Sequence, residues 1–573
     1  MTKITKTLLL SSSLWILSAC GGAGDSTLAQ TKQEPTTGAA TPPSAGSTAS
    51  PNTIPLPNTE VNNAAPDGPL SPSDAFRLVE QTSFGPQLDD IEMARIIGPE
   101  AWINDQMQLP ATLLSDTLRE LDSERWNEYV NAWWRQIIQS DDQLRQRVAF
   151  ALSEILVVSA HDGLSSEQFG LSGYYDILIQ NAFGNYRDIL GEVTLNPVMG
   201  EYLSMKGNRK PDDAENIQPD ENFARELLQL FSVGLEMLNQ DGTPQLDGGG
   251  VPLPTYNQDT IQNFARVFTG WHFANAEDFR WPQNKDYLSP MTAWQGYHDT
   301  DAKTLFQNEE LPAGQTAEQD LNAALDNVFN HPNVGTFISK QLIQRLVTSN
   351  PSQEYVYDVA AVFNRNVSGE RGSLGSVIKA ILMHREARTG HLDSPETFGK
   401  IREPLLRVSH LWRAFEPEAI HFDFNYGWVK NELSQSPLNS SSVFNFFRPD
   451  FSQPGEISSR GLNSPEFQIL DESSIISITS RLLASTIWAH NQKDEINDRE
   501  IAIDISDEVA MEADTDALLD HLDLLLLGGR MTHGLRAEVI ALMNERDYQG
   551  ADAQRVVEAI YLITSSPEAA IQQ

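Results

Sequence analysis

Residues 132–155 read AWWRQIIQSDDQLRQRVAFALSEI, and this stretch decides the fold class. Trp133, Trp134, Ile137 and Ile138, then Leu144, Val148, Leu152 and Ile155, recur at steps of three and four. That spacing lines apolar side chains along one face of a helix of 3.6 residues per turn, and it does not match the two-residue period of a strand. Ser140-Asp141 interrupts the run. It predicts a cap for the second helix, because a short side-chain oxygen can accept from the free N–H groups of a first turn.

The same period recurs outward in both directions. Phe223, Leu227, Leu230, Phe231, Leu235 and Leu238 predict one helix over 221–238, with Pro219 near its first turn. Ile261, Phe264, Ala265 and Phe268 predict another, opened by Asp259. Phe337, Ile338, Leu342 and Leu346 follow, then Leu518 to Leu526, then Val556, Ile560 and Ile563. Alternating strand patterns are scarce. The expected fold is mostly α, a large multi-helix body over 71–573 with long irregular loops at 240–258, 271–320 and 417–466. Loops of this length in a compact body are usually functional when they are ordered.

The N-terminus predicts export. Lys3 and Lys6 precede an apolar stretch over 7–19, too short to span a bilayer and suited to a secretory signal. It ends Leu17-Ser18-Ala19-Cys20, which resembles a bacterial lipobox. Residues 1–19 are thus expected to be a lipoprotein signal peptide, with Cys20 the lipidated residue. Cys20 is also the only cysteine, so no disulfide can form within one chain. Residues 21–70 hold no aromatic residue, and Gly, Ala, Ser, Thr, Pro and Asn fill 38 of the 50 positions. Such a segment buries too little apolar area to offset its ordering entropy, so 20–70 is expected to be a lipidated, disordered linker. The expected location is the bacterial outer membrane or a periplasm-facing membrane surface, reached through the lipid anchor.

Composition narrows the partners. Lys and Arg number 40 against 79 Asp and Glu, a net charge of −39. Binding phosphates needs clustered cations, so nucleic acid is excluded as a partner. The acidity favours cations, basic proteins or neutral glycans.

Several stretches together are similar to one bacterial family. They include FGP at 84–86, LRQRVAFALSEILVVS at 144–159, NAFGNYRDIL at 181–190 and ENFARELLQLFSVGLEMLNQDG at 221–242. PTYNQDTIQNFARVFTGW at 254–271, YHDTDAKTLF at 297–306 and HPNVGTFISKQLIQRLVTSNPS at 331–352 continue the series. REPLLR at 402–407, VFNFFRPDF at 443–451 and LITSSPEAAIQ at 562–572 complete it. This resembles the domain-of-unknown-function family 1800, from about residue 72 onward. The resemblance implies a helical exported protein and an exported, sulfatase-like partner. It also implies Asp-Pro where this chain has His384-Arg385.

No HExxH, P-loop, G-x-S-x-G or Rossmann glycine pattern is present. The Gly248-Gly249-Gly250 run reads as a turn. Glu221 and Arg225 are one helical turn apart and should pair. Glu226 flanks the apolar stripe, so its carboxylate needs a partner. One reading pairs it with a neighbouring helix through Arg266; the other makes it a metal ligand or general base. Tyr297-His298-Asp299 sets an imidazole beside a carboxylate, suited to proton transfer or metal binding. With His272, these residues would make a His/carboxylate site for a divalent cation. The acidic stretch Asp212, Asp213, Glu215, Asp220 and Glu221 offers oxygen ligands without the EF-hand spacing. The seven aromatics of 271–297 suit either a satellite core or stacking on sugar rings. Two functions follow as expectations. One is a binding or assembly component of the envelope, working with an exported partner. The other is an envelope hydrolase acting on glycan or ester substrates through Glu226, His298 and Asp299.

Overall fold

In a computed structural model of the chain, the two helices expected around residue 140 form at Glu128–Gln139 and Gln143–Ser153. The residues described are 63–65, 67–122, 127–161, 163–417, 429–491, 501, 503–545 and 552–573. The expected signal peptide, Cys20 and most of the 20–70 linker lie outside them. Trp133, Trp134, Ile137, Leu144, Val148 and Leu152 are all fully buried, as the stripe requires. Trp133 meets Phe84 edge-on at 5.4 Å, and Trp134 meets Trp412 at 5.1 Å. Such edge-to-face pairs add to the large area that each ring withdraws from water.

The Gln143–Ser153 helix is the hub. It packs on Pro99–Gln108, Gln168–Gln180 and Asn333–Leu346. Its residues are buried almost all round, which a helix can sustain only when neighbours enclose it. Ser140 and Asp141 do not cap it. Asp142 precedes the helix, and its carboxylate accepts from Thr112 N and Gln146 Nε2, at 3.0 Å each. The carboxylate joins the Thr112 loop to first-turn side chains and accepts from no backbone N–H of the helix.

The helix expected over 221–238 spans only Asn222–Gln229. Phe231 N reaches back to Glu226 O at 3.1 Å, and Gly234 N donates to Leu228 O at 3.0 Å. Gly234 takes φ +74°, where a side chain would strike the Phe337 ring. The chain then runs as a bridged hairpin, pairing Glu236 with Pro254, Leu238 with Pro244 and Leu246 with Pro252. The helix beginning at Gln258 is capped by Asn257, whose side chain accepts from Thr260 N, and Asp259 falls inside its first turn.

Helices at Ala317–Phe329, Asn333–Leu346, Pro404–Ala414, Thr515–Leu527 and Asp552–Ser565 carry the remaining predicted stripes and their neighbours. Among the described residues the named strands are two residues long and pair antiparallel. The protein is therefore mostly helical with long irregular connections. In the 271–297 loop Phe279 stacks on Tyr297 at 4.0 Å, and Trp271 and Phe273 are buried. Trp271, Phe273 and Tyr287 join the main core and do not form a separate satellite, while Trp281 is left 78 % exposed.

Two local findings bear on the ends of the body. Ala65 N donates to Met383 O at 2.9 Å, and Arg385 N donates to Asn63 O at 2.6 Å. The last part of the expected linker is therefore pinned to the body before residue 71. His384, where the resemblance implies Asp, caps the Arg385–Asp393 helix by accepting from Glu386 N at 3.1 Å. Its ring stacks on Tyr355 at 4.2 Å.

Candidate functional site

The residues singled out in the sequence fall into two separate settings. His298 is fully buried in a network of ion pairs. Its Nε2 lies 3.1 Å from Asp320 Oδ2, and its Nδ1 lies 3.0 Å from Thr269 O. Lys303 Nζ donates to the same Asp320 oxygen at 2.6 Å. Arg266 grips Asp299 with two bonds, at 2.7 and 3.1 Å. Burial alone would raise both carboxylates. The hydrogen bond from Arg266 holds Asp299 below the usual range, and those from His298 and Lys303 do the same for Asp320. Gly270, at φ +83°, passes so close to His298 that a Cβ there would meet its backbone. The network ties the Gln258–Val267 helix to the 297–304 loop and the Ala317–Phe329 helix.

Glu226 stands apart. It is buried, and its Oε2 has no hydrogen-bond partner. Burial pushes its carboxyl above the usual range. No hydrogen bond or ion pair joins it to His298, Asp299 or Arg266, since Arg266 is committed to Asp299. The Glu221–Arg225 pair does form, at 2.9 Å. His272 accepts from Phe273 N at 2.9 Å, and burial followed by the nearby Lys206 lowers its imidazole to about 4. In the acidic stretch Glu215 is paired with Arg209 and Arg280. Among the described residues no group of three or more His, Asp or Glu side chains is arranged to hold a metal ion.

A second polar cluster went unread in the sequence. The Gln143–Ser153 helix brings Arg147, and the turn after it brings Glu154. The Asn333–Leu346 helix brings Arg345. Lys400 and Glu403 come from the segment before the Pro404–Ala414 helix, and Glu466 from the loop beyond it. All six are buried. Arg345 Nη2 donates to the Glu154 carbonyl at 2.8 Å, and its Nε faces Glu154 Oε2 at 3.7 Å. Arg147 Nη2 and Lys400 Nζ both donate to Arg345 O, at 3.0 and 2.9 Å. Lys400 also pairs with Glu466 at 3.2 Å and Glu403 at 3.4 Å.

Three cations thus meet three carboxylates, yet the carboxylates differ. Burial, and then the charge of Glu403, push Glu154 up to about 8 against the pull of Arg345 and Lys400. Burial raises Glu466 as well. For Glu403 burial works in the same direction, but Lys400 and Arg147 outweigh it and hold the group low. Buried charge is costly unless paired, so the weakest-paired member is the one that takes a proton.

One side of this cluster opens on a cleft of about 440 Å³. Glu154 and Arg345 line it, with Lys340 and Gln341 from the same helix as Arg345. Leu230, Leu235, Leu238, Phe337, Val443 and Phe444 supply apolar walls. Glu154 Oε2 and Arg345 Nε have only each other, at 3.7 Å, and the buried Gln341 Nε2 has no hydrogen-bond partner. Orphaned buried polar atoms are uncommon in folded proteins, and one on the lining of a cleft marks a place where a ligand could supply the missing partner. A larger cleft of about 680 Å³ lies beside Arg413. There the guanidinium is already satisfied by Gly85 O, Ile138 O and Gln87 Oε1. The smaller cleft is therefore the stronger candidate.

The sequence did hold a partial signal for this site. Arg147 and Glu154 are seven residues apart and flank the apolar stripe of the hub helix, where a charge needs a partner. Those partners lie nearly two hundred residues away or more, beyond the reach of any local pattern. A family model described as "Protein of unknown function (DUF1800)" matches residues 77–571. No curated protein and no solved structure matches the chain.

Proposed function

We propose that this chain, which belongs to the DUF1800 family, is a ligand-binding component of the bacterial cell envelope. One observation carries the reading: the 440 Å³ cleft over a buried ion cluster whose polar atoms are incompletely satisfied. Its volume is within the usual range for small-molecule sites, roughly 300–1,000 Å³. Apolar walls would supply affinity, and a few fixed polar groups would orient the ligand. Lipidation at Cys20 would hold the body at a membrane surface, where an exported partner is expected to meet it. The hydrolase reading through Glu226, His298 and Asp299 has less support. His298 and Asp299 are engaged by Asp320, Arg266 and Thr269, and Glu226 does not join them.

Binding of a fluorescent apolar probe such as N-phenyl-1-naphthylamine tests the reading. One probe should bind per chain, and Leu235→Trp, an exposed change on the cleft wall, should block it. Binding that ignores Leu235→Trp, or no saturable binding at all, would remove the cleft from consideration. Anchoring has its own check. Cys20→Ala should abolish the globomycin-sensitive shift in precursor size, and an unchanged membrane fraction would refute lipidation.

A further inference from the structure

Gln341 Nε2 is a buried N–H group on the cleft lining with no acceptor, whereas Arg345 Nε already faces Glu154 Oε2 in an ion pair. Lys340, on the same wall, makes no ion pair among the described residues; Asp450 acts on it only from a longer range, and burial depresses its ammonium. Buried donors left without acceptors cost free energy that a suitable acceptor would restore. Arg345 faces Glu154 and Arg448 pairs with Asp450, which leaves Lys340 as the lining cation with no ion pair among the described residues.

Building on the binding function above, we propose that the cleft receives a small monocarboxylic acid with an apolar body. Its carboxylate accepts from Lys340 Nζ and Gln341 Nε2. Its hydrocarbon lies along Phe337, Val443 and Phe444. A single carboxylate matches the one lining cation without an ion pair among the described residues, whereas a phosphate monoester would bring a second charge. The apolar lining from Leu230, Leu235, Leu238, Phe337, Val443 and Phe444 favours a hydrocarbon body.

Calorimetric titration of the whole, unlipidated Cys20→Ala chain with octanoate and with octanol tests the assignment. Octanoate should bind one per chain and at least roughly tenfold tighter than octanol, since a charge-assisted hydrogen bond separates the two. Lys340→Met keeps the aliphatic stem and should bring octanoate down to octanol's affinity, leaving octanol unchanged. Equal affinities for acid and alcohol, or a Lys340→Met loss shared by both, would overturn the carboxylate assignment while the binding function stands. Failure of both ligands and of the apolar probe would overturn the two together.

Discussion

Glu154 is an acid whose behaviour is set almost wholly by its neighbours. Its carboxyl titrates near 8 in the fold against 4.5 as a free side chain, with burial the leading cause. A raised acid binds its proton more tightly when folded. The stability it contributes is therefore complete below about pH 4.5 and is lost as pH rises through about 8. Glu154→Gln removes this titration but keeps the size and the hydrogen-bonding capacity towards Asn445. Its melting temperature should vary less between pH 5 and pH 8 than that of the parent, with the gain largest at pH 8. Parallel profiles for the two proteins would show that Glu154 titrates normally. At this scale the sequence offered only a hint, a charge at the edge of an apolar stripe. Arg345, which meets that charge, is 191 residues away along the chain.

The 222–229 helix and the hairpin after it separate periodicity from packing. Leu227 is buried at 1 % exposure, whereas Leu235, in phase with it, is 57 % exposed. The stripe predicted both as core. The helix ends at Gln229 in a turn closed by Phe231 N and Gly234 N on Glu226 O and Leu228 O, with Gly234 in a left-handed conformation that a continuing helix would not use. Leu227→Ala should cost about 2–5 kcal/mol, from lost burial and an unfilled cavity. Leu235→Ala should stay within about 0.5 kcal/mol. Thermal melts of the two variants decide the matter, and equal losses would restore the long helix. The exit from the helix has a further consequence. It turns Leu235 and Leu238 away from the core and into the wall of the cleft.

For the whole molecule, the segment before the first helix is part of the body. Asn63 Nδ2 donates to Glu354 and Asp358 at 3.0 Å each, beside the backbone bonds to residues 383 and 385. Net contributions of about 0.5–1.5 kcal/mol for each of these four hydrogen bonds predict that a chain starting at Pro72 is less stable than one starting at Asn63 by about 2–6 kcal/mol. Denaturant midpoints of the two would measure it, and identical midpoints would reassign 63–71 to the linker. Sequence alone determined the helical class, because a 3.6-residue apolar period is a local property that survives whatever packs on it. It also determined the Glu221–Arg225 pair, which needs only one helical turn. It did not determine which buried charges meet. His298 with Asp320, and Glu154 with Arg345 and Lys400, are joined by long-range packing of helices and loops. Only the tertiary structure decided those partners, and with them the cleft, because a side chain's burial and electrostatic surroundings are set by groups distant in the chain.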